Sequence, residues 1–234
     1  MKSLAVMQPY FFPYVGYFQL IKEVDTFIFY DDVDFIKNGW INRNRILING
    51  QASYLTIPCK NVSSNKHINN VEHNLNERGR NKLLKKIRFT YQNAPQFDAI
   101  FPIIEKVIMT DTKLISEIAI QSVKQVVEYL NLECKFYTSS DIENDKNASA
   151  VDRLIDLCSV AEADRYLNPI GGEELYKKEY FAEKGIMLDF LEHRDVQYKQ
   201  FKNEYIPDLS IIDVLMFNSK ESIKSDHLNS YSLS

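Results

Sequence analysis

Three cysteines, four histidines, seven glycines and a single tryptophan in 234 residues leave several functional classes short of raw material. Cys59, Cys134 and Cys158 are odd in number and far apart, so no disulfide framework organises the chain, and reduced thiols of a cytoplasmic protein are expected. None of them lies in a basic local setting, which argues against a thiol nucleophile. Cysteine and histidine never gather at ligand spacing, so no metal site is expected. No run of about 18 apolar residues occurs, and no membrane span is expected. The opening MKSLAVMQPYFF is broken by Gln8, Pro9 and Pro13 and lacks a small-residue cleavage site, so a signal peptide is not expected either. A formal charge of −4 gives no global attraction to nucleic acid, and nucleic-acid motifs are absent, although local basic patches stay open.

What is present is an alternation of two periodicities. Leu4 to Met7 reads as a strand, Val15 to Val24 as a helix, and Thr26 to Tyr30 as a second strand that stops at Asp31 and Asp32. Between Ile48 and Ala52, Asn49-Gly50 supplies two residues that tolerate positive φ, the strongest short-range signal for an antiparallel hairpin. Helical patterns follow over 76–91, 96–109 and 112–131, the last with a core-facing stripe from Ile115 to Leu130. Strand and helix patterns then alternate again: 134–138, 148–161, 165–168, 173–183 and 186–191. The expected fold is α/β, a Rossmann-like parallel sheet of the nucleotidyltransferase type with an inserted β-hairpin and helical segment. One domain over 1–220 is expected, with the helical insertion at about 61–131 and a flexible Ser- and Asn-rich tail over 221–234.

In such folds the loop after the first strand faces a ligand crevice. Here it reads Gln8-Pro9-Tyr10-Phe11-Phe12-Pro13-Tyr14-Val15-Gly16-Tyr17, with two prolines to stiffen it and Gly16 to open the helix start. Gln8, Pro9, Tyr10, Tyr14 and Gly16 are therefore candidate nucleotide- or substrate-binding residues. An aromatic plug for the end of the sheet is the bland alternative. Tyr14 and Tyr17 stand where nucleotidyltransferases carry the histidines of a His-x-Gly-His signature. Asp31 could hold an amine or Mg²⁺, with Asp32 as a catalytic candidate, although neighbouring strand residues point to opposite faces. Lys37, Trp40, Arg43, Asn44 and Arg45 form a basic and aromatic cluster, in which Arg43 and Arg45 share a strand face suited to a diphosphate or carboxylate. Asn168, Gly171 and Gly172 lie at a strand-to-helix junction that suits an anion, short of a P-loop because no Gly-Lys-Ser/Thr follows. His193, followed by Tyr198 and Gln200, is the preferred acid/base candidate, with Tyr17 as a second proton carrier.

The opening block Gln8 to Ile21, the block from Phe27 to Ile46, the Tyr91-to-Phe97 segment, Tyr166 to Tyr176 and the late block Phe201 to Asn218 together resemble the WbqC-like protein family, over nearly the whole chain. Val196 departs from the proline that members often carry before the Tyr-x-Gln of residues 198–200. The resemblance implies a place in bacterial O-antigen or other surface-polysaccharide biosynthesis, and for some members a glycine or aminoacyl transferase role has been suggested. The partners it implies are a nucleotide-linked amino sugar and an amino acid, with ATP and Mg²⁺ as the cofactor option and homo-oligomer formation left open. A non-catalytic sugar-nucleotide or glycan-binding protein of the same pathway is the competing expectation.

Overall fold

The computed structural model describes residues 1–63, 65–202 and 204–234; Ser64, inside the expected insertion, and Asn203 lie outside the described residues. Strand β1 (Ser3–Met7) leads through the proline loop to helix α1 (Val15–Glu23) and strand β2 (Thr26–Phe29). The pleat sends Leu4 and Val6 into one buried cluster and Ala5 into another, so both faces of β1 are covered. The chain then leaves the sheet for the hairpin β3 (Arg43–Ile48) and β4 (Gln51–Thr56) and the helices α2 (Glu77–Tyr91), α3 (Phe97–Ile108) and α4 (Ile115–Leu130). It returns with β5 (Lys135–Thr138), α5 (Ala150–Val160), β6 (Arg165–Pro169), α6 (Lys178–Ala182), β7 (Met187–His193), α7 (Ile211–Phe217), α8 (Lys220–Ser225) and β8 (Tyr231–Leu233).

The result is a mixed α/β architecture around a mostly parallel sheet of order β5-β2-β1-β6-β7-β8, in which only the β7–β8 pair is antiparallel. Among the parallel strands this order runs third, second, first, fourth, fifth in chain sequence. The winding therefore reverses between β1 and β6, whose outgoing loops part and leave a crevice beyond their carboxyl ends. Helices α1 to α4 and α7 share one buried cluster with the hairpin and one sheet face, while Leu154, Leu157 and Phe181 of α5 and α6 cover the other.

Asn49 and Gly50 have φ of 49° and 75°, the type I′ turn their sequence demands, and Ile48 pairs with Gln51 across it. Two expectations are corrected. Residues 221–234 are no loose tail: α8 is capped by Ser219, Ile223 and Leu228 enter the core, and β8 extends the sheet along β7. The helix expected over 173–183 shrinks to Lys178–Ala182 behind a 3₁₀ turn at Ile170–Gly172. Within that turn a Cβ on Gly172 would come within 1.8 Å of Asn168 Nδ2, a clash that glycine avoids.

Candidate functional site

The loop after β1 is held from every side. Phe11 donates its N–H to the Trp40 carbonyl, Phe12 donates to Ser122 Oγ, and Ile211 donates to the Pro13 carbonyl. Phe12 has φ of 41°, a conformation that L-residues avoid, and its carbonyl accepts from Asn44 Nδ2 at 2.8 Å and Ser210 Oγ at 2.7 Å. Such a backbone persists only where its surroundings over-determine it. Tyr17, fully buried, donates to the Gln8 carbonyl at 3.0 Å, and burial pushes its pKa well up. That places Tyr17 as a brace beneath the loop, not as an open proton carrier. Gly16 accommodates Tyr14, because a Cβ there would meet the Tyr14 ring at 2.4 Å.

This braced loop walls a cavity of about 490 Å³ at the winding reversal, with Met7 of β1 on one side and Pro169 of β6 on the other. Tyr10, Tyr14, Trp40, Asn44 and Arg45, each a sequence candidate, line it, together with Asp208. Asn44 is occupied, clamping the hairpin to the Phe11 and Phe12 carbonyls. Arg45 is not fully occupied: Nη2 donates to the Asp208 carbonyl at 2.8 Å, but Nε is buried with no partner among the described residues. A buried guanidinium N–H without an acceptor is costly unless a ligand supplies one. Gln8 Oε1 is likewise buried with no partner among the described residues, while Pro9 is buried beside it.

Arg43 sits on the same hairpin face but away from this cavity, its guanidinium 4.2 Å over the Tyr54 ring and bonded to the Gly39 and Asn38 carbonyls. Lys37 is exposed in the preceding turn and does not line the cavity. Asn168 bonds the Pro169 carbonyl and the Tyr166 hydroxyl, and Gly171 faces open space. The strand end, rather than the diglycine itself, meets the loop.

The acid pair has a different fate. Arg153 Nη2 reaches both Asp32 oxygens at 2.7 and 2.6 Å, both side chains being nearly buried, and Lys146 adds a contact at 3.3 Å. Burial alone would raise the Asp32 pKa; the bonds from Ser139 and Arg153 outweigh it and hold the carboxyl below its usual range. Asp31 accepts from the Ser140 N–H and hydroxyl at 3.0 and 2.8 Å and from Ser139. Both carboxylates tie β2 to the turn after β5. A Mg²⁺ ion does not fit donors so fully engaged, and among the described residues no group of three or more acidic, His or Cys side chains could hold a metal. The cysteines are buried or half-buried, with thiols pushed up by burial to about 11 for Cys59 and about 12 for Cys134 and Cys158.

His193 lies on the far side of Tyr14, which contacts its ring edge-on at 5.7 Å between centroids. Tyr14 and Asp208 line both the main cavity and the small cleft holding His193, so the two spaces adjoin. The tautomer of His193 follows from its neighbour. Gln19, fully buried in α1, turns its amide N–H groups to the carbonyls of His227 (2.6 Å) and Ser230 (2.9 Å), which can only accept. Its Oε1 therefore faces His193 Nδ1 at 3.0 Å, and Nδ1 must carry the hydrogen. Nε2 keeps its lone pair. Burial lowers the His193 pKa below its ordinary value despite the opposing pull of Asp195 and Asp208, which favours the neutral ring.

Tyr198 and Gln200 belong to a group that sequence reasoning missed. Asp213, fully buried in α7, accepts from Tyr91 (2.7 Å), Tyr198 (2.8 Å) and Gln200 (2.8 Å), and burial raises its pKa. This network pins the segment after β7 to α7 and α2. The signal available for Asp213, Gln19 and Ser122 was one polar residue inside an apolar helical stripe.

The model of the WbqC-like protein family matches residues 8–225. Uncharacterized protein Rv1507c of Mycobacterium tuberculosis (strain ATCC 25618 / H37Rv) is 28% identical over 235 residues, covering 93% of this chain and 94% of that protein. No solved structure matches. The family match takes in the loop, the hairpin, His193 and α7, the parts that build the adjoining cavities.

Proposed function

Because the chain belongs to the WbqC-like protein family, we propose that it is a transferase of bacterial O-antigen or surface-polysaccharide biosynthesis that joins glycine or a similar aminoacyl group to the amine of a nucleotide-linked sugar. One observation carries this: the braced loop and the end of β6 enclose a cavity at the winding reversal, where nucleotide ligands bind in a Rossmann-like scaffold of the nucleotidyltransferase kind. Tyr10, Tyr14 and Trp40 offer faces for a base or sugar ring, and Arg45 offers its unpartnered Nε to a phosphate oxygen.

His193, in the cleft that adjoins the cavity behind Tyr14, serves as the base for an acceptor amine that reaches into that cleft. The sugar amine attacks the carbonyl carbon of an activated aminoacyl donor, a C–N bond forms, and His193 Nε2 takes the amine proton. The acyl bond to the donor's leaving group, AMP where ATP has activated glycine, breaks with its electron pair going to that group. Positioning and electrostatics, with no covalent nucleophile, supply the rate. The aromatic lining also suits a non-catalytic sugar-nucleotide-binding protein of the same pathway. Incubation with nucleotide-linked amino sugars, glycine and ATP, following AMP release and product mass, separates these. A mass gain with AMP shows an ATP-dependent ligase, a mass gain without AMP use shows a preactivated donor, and binding without conversion leaves the binding protein.

A further inference from the structure

Helix α2 carries Arg78, Arg80, Lys82, Lys85, Lys86 and Arg88 against the single acid Glu77, in a chain whose formal charge is −4. With so strong a local excess, the rest of the chain is net acidic. Residues 78, 82, 85 and 89 follow at helical spacing and are all exposed, so Arg78, Lys82, Lys85 and Phe89 form one outward stripe. Phe89 is 72% exposed, and no ion pair among the described residues engages Arg78, Lys82 or Lys85.

Beside the stripe, α2 and the hairpin enclose an open groove of about 740 Å³ with Tyr54, Leu75 and Leu83 along it and Lys82, Lys85 and Lys86 at its rim. Lys86 is drawn to the Tyr54 carbonyl at 2.8 Å. Tyr54, 45% exposed, lies 6.3 Å from the ring of Trp40, which is 38% exposed. A track of aromatic side chains, with Arg43 stacked on Tyr54 and lysines along the groove, thus leads from the main cavity past Trp40 and Tyr54 to Phe89.

We infer that this face docks on an anionic lipid bilayer, with the α2 cations against the headgroups and Phe89, Tyr54 and Trp40 entering the interface. The charge complementarity is that of interfacial basic helices, where lysine and arginine meet anionic lipid and aromatic rings settle at the headgroup level. The track offers few groups for reading an oriented polar ligand such as a neutral glycan. Its most exposed member, Phe89, is an aromatic ring with no hydrogen-bonding atom, a group that settles into the headgroup interface beside basic residues. In this orientation the mouth of the main cavity stands beside the membrane.

Flotation of the full chain with vesicles tests this. Vesicles of phosphatidylcholine mixed with phosphatidylglycerol should carry the protein, and pure phosphatidylcholine should not. Near an anionic surface each lysine or arginine contributes about fivefold, so Lys82→Glu with Lys85→Glu should weaken binding by at least about twentyfold, as should high salt. Phe89→Ser should weaken binding even at low salt, whereas Lys135→Glu on the β5 edge should not. Circular dichroism confirms that each variant is folded. No binding to the anionic vesicles, undiminished binding by the folded double variant, or capture by single-stranded DNA in place of vesicles would overturn the inference.

Discussion

Two neighbouring carboxyl-end regions of one sheet handle their polar groups in opposite ways. At the β2 and β5 ends, Asp31 and Asp32 are saturated by Ser139, Ser140, Arg153 and Lys146. At the β1 and β6 ends, Arg45 Nε and Gln8 Oε1 have no partner among the described residues, and an aromatic cavity opens beside the guanidinium. Charge in the chain is thus a poor guide to function unless its bonding is known. The conspicuous acid pair closes the structure, and the less conspicuous hairpin arginine keeps a donor in reserve.

The largest effect that would break this contrast is expected at Arg153. Arg153→Met strands Asp32 in a nearly buried setting and should cost about 3–5 kcal/mol, seen as a fall in the urea midpoint. Adding Asp32→Leu should recover much of that loss, since no charge is then left unpaired. Equal loss in single and double variants would show that the pair is not the fastener described.

Arg45→Met should do the reverse. Urea stability should change by less than about 1 kcal/mol, while turnover or affinity for a nucleotide-linked amino sugar should fall on the order of 10²-fold. A large loss of stability with unchanged affinity would move Arg45 into the structural class with Asp32.

His193 sharpens the comparison through its tautomer. Nitrogen NMR should show hydrogen on Nδ1 in the native protein and a mixed tautomer in Gln19→Leu, with slower turnover but a smaller loss than His193→Gln gives. A smaller effect comes from pH. His73, His193 and His227 all have folded pKa values lowered from 6.5, chiefly by burial. The unfolded chain then binds more protons than the native one below that value, so their contribution to stability is lost as pH falls from 6.5 toward the folded values. His193→Gln should flatten this acid-side decline, measured by urea unfolding across the window.

The fold was legible where local chemistry agreed with tertiary need. Asn49-Gly50 dictates its turn whatever surrounds it, and the Ile115-to-Leu130 stripe has a single face to bury. The chain end was illegible because its order comes from distant partners: Gln19 grips the His227 and Ser230 carbonyls, and β7 offers an edge to Tyr231–Leu233. Five binding candidates line the cavity because loop and hairpin candidates lay on segments whose geometry was readable. Tyr17, Asp32, Tyr198 and Gln200 were chosen for what their side chains can do, and only the bonds to Gln8, Arg153 and Asp213 reveal where those capacities are engaged.

Trp40, the sole tryptophan, stands on the cavity wall, so its emission reports directly on the site where loop and β6 meet. Titration with a nucleotide-linked amino sugar is predicted to give a saturable change in that emission, which Arg45→Met weakens on the order of 10²-fold. Emission that stays flat in the native protein, or an equally tight response in the variant, would contradict a nucleotide-sugar site built on Arg45.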